Sequence, residues 1–126
     1  MLIKKYYIPI QHLYRNTNIR NKIIDSHVVV LPSYREGFAR VLMEAQACAR
    51  PVITSDISGC RDVIVDKGTG FLVKRDKELF SKKIEQLLLD RELRNFLGSS
   101  GLKHTKSKWS WDKSAAQINK KLKEMK

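Results

Sequence analysis

Two glutamates eight residues apart, Glu36 and Glu44, bracket a mostly apolar run in the segment PSYREGFARVLMEA at residues 32–45. Between them stands Gly37, which lets a ligand approach the backbone closely. The helix that follows begins with free backbone N–H groups and a positive dipole end, and these suit a phosphate. Glu36 then projects from the loop toward whatever the phosphate carries. Glu44, two helical turns on, is placed to accept hydrogen bonds from vicinal hydroxyls on the other side of that phosphate. The competing reading puts one glutamate in a solvated loop and the other on a helix surface, because Glu is normally exposed.

The flanking text supplies the elements that would position such a pair. HVVVLPS, residues 27–33, is a β-branched run ending at Pro32 and reads as a buried parallel strand. Phe38 to Ala49 carries Val41, Leu42, Ala45, Cys48 and Ala49 at helical spacing. Arg50-Pro51 ends that helix, and PVITS forms a second strand, completing a βαβ unit with an expected right-handed crossover. A glycine loop and a short helical piece come next, then a turn at Lys67–Gly70 and a third strand, Gly70 to Val73. Asp76 is placed to cap a helix running to about Leu89, with Leu79, Phe80, Lys83, Ile84, Leu87 and Leu88 on one face. Another helix is predicted from Arg91 to about Leu97. A last one runs from about Trp111 to Met125, pairing an apolar stripe with Lys113, Lys120, Lys121, Lys123 and Lys126. At the other end, IKKYYIPI reads as an edge strand and Asn18 to Ser26 as a short helix. The alternation predicts an α/β doubly wound, Rossmann-like parallel sheet with flanking helices. Ligands of such sheets bind outside the carboxyl ends of the strands, which is where the SYREG loop lies.

Composition narrows the function classes. The 126 residues are 42% hydrophobic and 30% charged, an ordinary globular balance with room for one domain. The net charge is +12. Residues 1–25 hold five basic and one acidic residue and residues 101–126 hold eight and two, which leaves only +2 between them. Charge gathered at the termini argues against a nucleic-acid groove, which would spread it over one folded face with interleaved aromatics. A basic last helix packed on the domain is the simplest reading of residues 109–126, and contact with an anionic membrane surface is the alternative. Cys48 and Cys60 form no CxxC or Cys/His cluster, and His12, His27 and His104 share no ligand spacing, so neither a metal site nor a metal cofactor is expected. Free cysteines and the lack of a signal-peptide pattern fit a reducing cytoplasm. No apolar run approaches the roughly 20 residues that cross a bilayer.

The stretch from VLPSYREGFARVLMEA through EAQACARPVI, the Gly59-Cys60-Arg61 turn and DKGTGFLV resembles the C-terminal, donor-binding half of the group 1 (family four) glycosyltransferases. These are retaining, nucleotide-sugar-dependent enzymes built from two facing Rossmann-like domains. The similarity runs from about Asp25 to Leu89 and rests on several linked parts in order. It implies a partial donor-binding domain at residues 1–108, with residues 109–126 as a basic amphipathic helix of the same domain. Glu36 takes the catalytic position near the donor sugar's reacting carbon, and Glu44 the position that holds the ribose hydroxyls. Gly37, Phe38, Ala39, Arg40 and Val41 match the loop and helix start that face the sugar and diphosphate.

Ala49 stands where the family commonly has glycine, and Asp62 where it has glutamate. The Arg and Lys that clamp the diphosphate have no counterpart: Lys4, Lys5 and Arg15 are available cations without the matching position. The resemblance therefore implies a fragment that binds a nucleotide diphosphate sugar, base unassigned, and that is inactive alone. A separately encoded N-terminal half is the implied partner, and the setting is cytoplasmic or peripheral at the inner membrane face. The alternatives are a non-catalytic interaction module and a basic membrane-surface or nucleic-acid binder.

Overall fold

A computed structural model describes residues 19–35, 37, 39–109 and 123–124 of the chain. Helix α1 (Ile19–Ile24) leads into strand β1 (Val29–Leu31), helix α2 (Arg40–Ala47) and strand β2 (Val52–Ser55). A one-turn helix α3 (Ser58–Arg61) follows, then β3 (Phe71–Val73), α4 (Lys77–Leu89) and α5 (Arg91–Trp109). The strands form a parallel sheet in the order β1-β2-β3, with Val29 opposite Val52 and Ile53 opposite Phe71. The protein is thus α/β with a Rossmann-like parallel sheet and flanking helices, as the alternation predicts.

The period of two along each strand divides the core between the two faces of the sheet. Val29 and Val52 pack with Ile23, Leu42 and Ala45 from α1 and α2 on one face. Ile53, Phe71 and Val73 pack with Phe80 and Leu87 of α4 and Leu97 of α5 on the other. All four residues of β2 are buried, which fits the β-branched run of Val52, Ile53 and Thr54. Its one buried hydroxyl before the strand end is satisfied: Thr54 Oγ1 donates to the Leu31 carbonyl oxygen at 2.9 Å and lies 3.1 Å from Cys60 Sγ.

Helix boundaries follow local chemistry in two places. Asp76 caps α4 as expected, its carboxylate accepting from the backbone N–H of Glu78 at 2.9 Å and of Leu79 at 3.0 Å. Helix α2 closes with Ala49 at φ 56, while Ala49 N–H donates to Gln46 O and Arg50 N–H to Ala45 O. That pair of bonds is a Schellman motif with alanine at the left-handed position that usually holds glycine.

Two expectations need correction. The helix starting at Arg91 does not end near Leu97 but runs on to Trp109. Gly98 and Gly101, inside the longer helix, mark a close crossing of α5 over the end of α2. A Cβ on Gly98 would lie 2.3 Å from the Ala49 carbonyl oxygen, and one on Gly101 would lie 3.1 Å from Gln46 Cγ. The predicted apolar face of α4 is also narrower than its spacing suggests. Phe80 and Leu87 are buried, but Leu79 is 39% exposed, because a sheet of three strands covers only the centre of that stripe. The predicted strand IKKYYIPI lies outside the described residues. So does the predicted last helix, apart from Lys123 and Glu124, which are helical.

Candidate functional site

The carboxyl ends of the three parallel strands, at Leu31, Ser55 and Val73, bring three loops to one edge of the sheet. The loop after β1 runs from Pro32 to Ala39 and is anchored by Ala39, which is buried in the α2 face of the core. Ala39 occupies the N-cap of α2, and no side chain caps it. The first turn of α2 holds no acidic residue either, so among the described residues no carboxylate competes for its backbone N–H groups.

Of the residues singled out in the sequence, the structure gathers Gly37, Ala39, Arg40, Val41 and Glu44 along this loop and helix. Gly37 is exposed, and nothing lies within 4 Å of where its Cβ would be. Arg40 is exposed at the first position of α2. Val41 is half-buried against the core, so its backbone rather than its side chain is the part available at the edge. Glu44 is exposed one turn further along, and among the described residues its carboxylate forms no hydrogen bond or ion pair. Glu36 and Phe38 lie outside the described residues.

Facing this loop is the turn after β2. Tyr34, Arg35 and Gly37 on one side and Ile57 and Ser58 on the other line an open cleft of about 390 Å³. The β2 turn is held firmly. Asp56 N–H donates to Val73 O at 2.9 Å, tying it to β3. Arg61 Nε lies 2.6 Å from Asp56 Oδ1, and Arg61 Nη2 donates to the Asp56 carbonyl oxygen at 3.0 Å. Both side chains are about half exposed, so the pair orders the turn more than it stabilises the fold. From the third loop, the Arg75 guanidinium lies over the ring of Tyr34, a cation–π contact that joins the β1 and β3 loops across the edge.

Tyr34, Arg35, Ile57 and Arg75 were not singled out from the sequence. The available signal was topological: each lies within four residues of a predicted strand's carboxyl end, and a parallel sheet brings all such residues together. Among the described residues no three His, Cys, Asp or Glu side chains group as metal ligands do, and no helix is long and apolar enough to cross a membrane. Neither Cys48 nor Cys60 is part of a disulfide.

The family model described as glycosyl transferases group 1 matches residues 7–104. The capsular polysaccharide biosynthesis glycosyltransferase CapM of Staphylococcus aureus is 38% identical over 98% of this chain and 31% of its own length. An uncharacterized glycosyltransferase of Methanocaldococcus jannaschii is 35% identical over 77% of this chain and 28% of its own. The chain therefore spans less than a third of the length of these relatives. Among solved structures, sucrose-phosphate synthase from Thermosynechococcus elongatus superposes with a TM-score of 0.74 at 31% identity, over 79% of this chain and 25% of that one. HepE of Anabaena, solved in complex with UDP, shares the fold with a TM-score of 0.81 at 20% identity, over 86% of this chain and 30% of that one. The chain belongs to the group 1 glycosyltransferases.

Proposed function

We propose that the chain is the part of a retaining glycosyltransferase that holds the nucleotide-sugar donor, at the sheet edge formed by the β1 and β2 loops. The observation that carries the reading is Glu44. It stands exposed on α2 with no partner among the described residues, one turn beyond a helix start without a side-chain cap and on the helix that follows the loop lining the cleft. A ribose offers two hydroxyl donors to such a carboxylate, and a diphosphate offers acceptors to the N–H groups of Gly37 to Val41. Glu36 acts at the sugar, accepting from hydroxyls near the carbon whose bond to the diphosphate breaks. The exposed guanidiniums of Arg35 and Arg75 supply positive charge at the same edge. Charge of this kind stabilises a departing diphosphate by roughly 3–4 kcal/mol when it is held in place. HepE has been solved with UDP and with UDP-glucose, and TarM of S. aureus, 27% identical to this chain, with UDP. Both support a uridine nucleotide as the first ligand to try.

These 126 residues bind donor without transferring the sugar. Acceptor positioning and exclusion of water come from the opposing domain that enters as partner, and these contributions are large. The reaction moves a sugar with retention to a glycan or lipid-linked acceptor, on the cytoplasmic side. Calorimetry with UDP and GDP on the chain and on Glu44→Ala tests the site. The loss of one charged acceptor should weaken nucleotide binding by roughly 1.5–3 kcal/mol, at least about tenfold. Equal affinity in the two proteins removes Glu44 from the site.

A further inference from the structure

At the opposite edge of the sheet, where β1 and β2 begin, the structure forms a second cleft of about 410 Å³. That volume falls in the range that encloses small-molecule ligands. Three arginines line it from two parts of the fold: Arg50 from the α2–β2 connection, and Arg91 and Arg94 from α5. Ser26, His27 and Asn95 add polar groups to the wall. Asp25 is the one carboxylate on the wall, and among the described residues it makes no ion pair with the arginines. The wall therefore carries an excess of positive charge.

Two of the guanidiniums are already fixed by backbone carbonyls. Arg50 Nη2 donates to Ile24 O at 2.6 Å, and Arg94 Nη1 donates to Leu87 O at 2.7 Å and Leu88 O at 2.8 Å. A guanidinium has five N–H donors and stays charged, so each keeps further donors in a set direction. Arg50 Nε is buried and has no hydrogen-bond partner among the described residues. A buried donor left unpaired is destabilising, and an incoming acceptor relieves it. Arg91 is exposed, with no contact that competes for its charge among the described residues.

We propose that this cleft is an anion site that takes a phosphate group, distinct from the donor edge and on the far side of the sheet from it. Planar, prearranged arginine forks match the oxygens of a phosphate, whether it belongs to a free phosphorylated molecule or to a phospholipid headgroup. The test is a 1H–15N NMR titration of the 126-residue chain with inorganic phosphate, with and without prior saturation by UDP. A parallel arm floats the chain with phosphatidylcholine vesicles containing or lacking phosphatidylglycerol.

The expected result is a saturable shift at Ser26, His27, Asn95 and the Arg50 Nε–H that UDP does not abolish. Arg91→Glu should weaken it about tenfold or more. Should that variant not fold, Asn95→Asp, which places a carboxylate on the same wall, should weaken it likewise. Saturation by inorganic phosphate assigns a free phosphate compound. Flotation only with phosphatidylglycerol, lost in Arg91→Glu, assigns the headgroup. Shifts confined to residues 34–44 overturn the proposal. So does equal binding by both variants and the wild type. A titration with no saturable shift, together with flotation that is absent or indifferent to Arg91, overturns it too.

Discussion

Replacing Gly98 by alanine tests whether the α5–α2 crossing is as close as the structure shows. The added Cβ would meet the Ala49 carbonyl oxygen at 2.3 Å, about an ångström inside ordinary van der Waals contact. The atom it meets is backbone, and that backbone is already committed to the left-handed turn that closes α2. Relief therefore requires α5 to move away, opening the packing around the buried Leu97. Overpacking of this kind is destabilising by roughly 1–3 kcal/mol. Against it stands the higher helix propensity of alanine, worth about 1 kcal/mol at an interior helical position. With backbone on one side the clash falls in the upper half of its range, roughly 2–3 kcal/mol, and the net effect is about 1–2 kcal/mol of lost stability. In a domain of this size each kcal/mol shifts the melting temperature by roughly 3–5 °C. Gly101→Ala is the matched control. Its Cβ would meet Gln46 Cγ at 3.1 Å, a side-chain atom that can give by a few tenths of an ångström, and the same propensity gain applies. It should be near neutral. Urea and thermal unfolding followed by far-UV circular dichroism compare both variants with the wild type. If Gly98→Ala is as stable as the wild type, the helices do not cross at backbone contact, and the reason given for α5 continuing past Leu97 fails.

Three further outcomes are expected. Ala49→Gly should raise stability by roughly 0.5–1 kcal/mol, because the left-handed strain on alanine exceeds the entropy that glycine adds to the unfolded chain; urea unfolding that shows a loss would refute this. Glu36→Gln should leave UDP affinity nearly unchanged while removing the extra affinity of the sugar, and calorimetry showing equal losses for UDP and UDP-glucose would reverse the assigned roles. If the basic C-terminal segment contacts anionic membranes, flotation with anionic vesicles should fade as salt rises and vanish in a chain ending at Lys108; equal flotation of both chains would place the contact elsewhere.

What could be read from the sequence was what is local. The β-branched runs around Val29–Leu31 and Val52–Ser55 announced strands, although only Val52–Ser55 is buried on both faces and Val30 is exposed, and Asp76 announced its helix through a bond two residues away. The continuation of α5 past Leu97 was not legible because the packing of Gly98 and Gly101 depends on Ala49 and Gln46, roughly 50 residues away in the chain. Leu79 was assigned to the core by a spacing rule that takes no account of how few strands stand opposite. At the candidate site, Glu44 and the Gly37–Val41 segment were visible as a motif on one continuous stretch. Tyr34 and Arg75 were not, since they belong to different loops and meet only when the strands align. The Arg50–Arg94 cleft was hidden for the same reason: nothing in the order of residues says that the start of β2 and the start of α5 share a wall.

The crossing at Gly98 also sets a timetable for synthesis. The carbonyl oxygen of Ala49 meets its cover only when Gly98 arrives roughly 50 residues later, which takes about 3–10 s at ordinary elongation rates. Once β1, α2 and β2 have emerged from the ribosome, Ile53 lacks Phe71, Leu87 and Leu97 on its face of the sheet until those residues follow. A nascent chain in that state presents a half-covered parallel sheet with an open β2 edge, a surface suited to chaperones and to wrong partners alike. Elongation rate while residues 56–98 emerge, which fixes how long the state lasts, is therefore a lever on the yield of folded protein that no substitution in the finished structure would reveal.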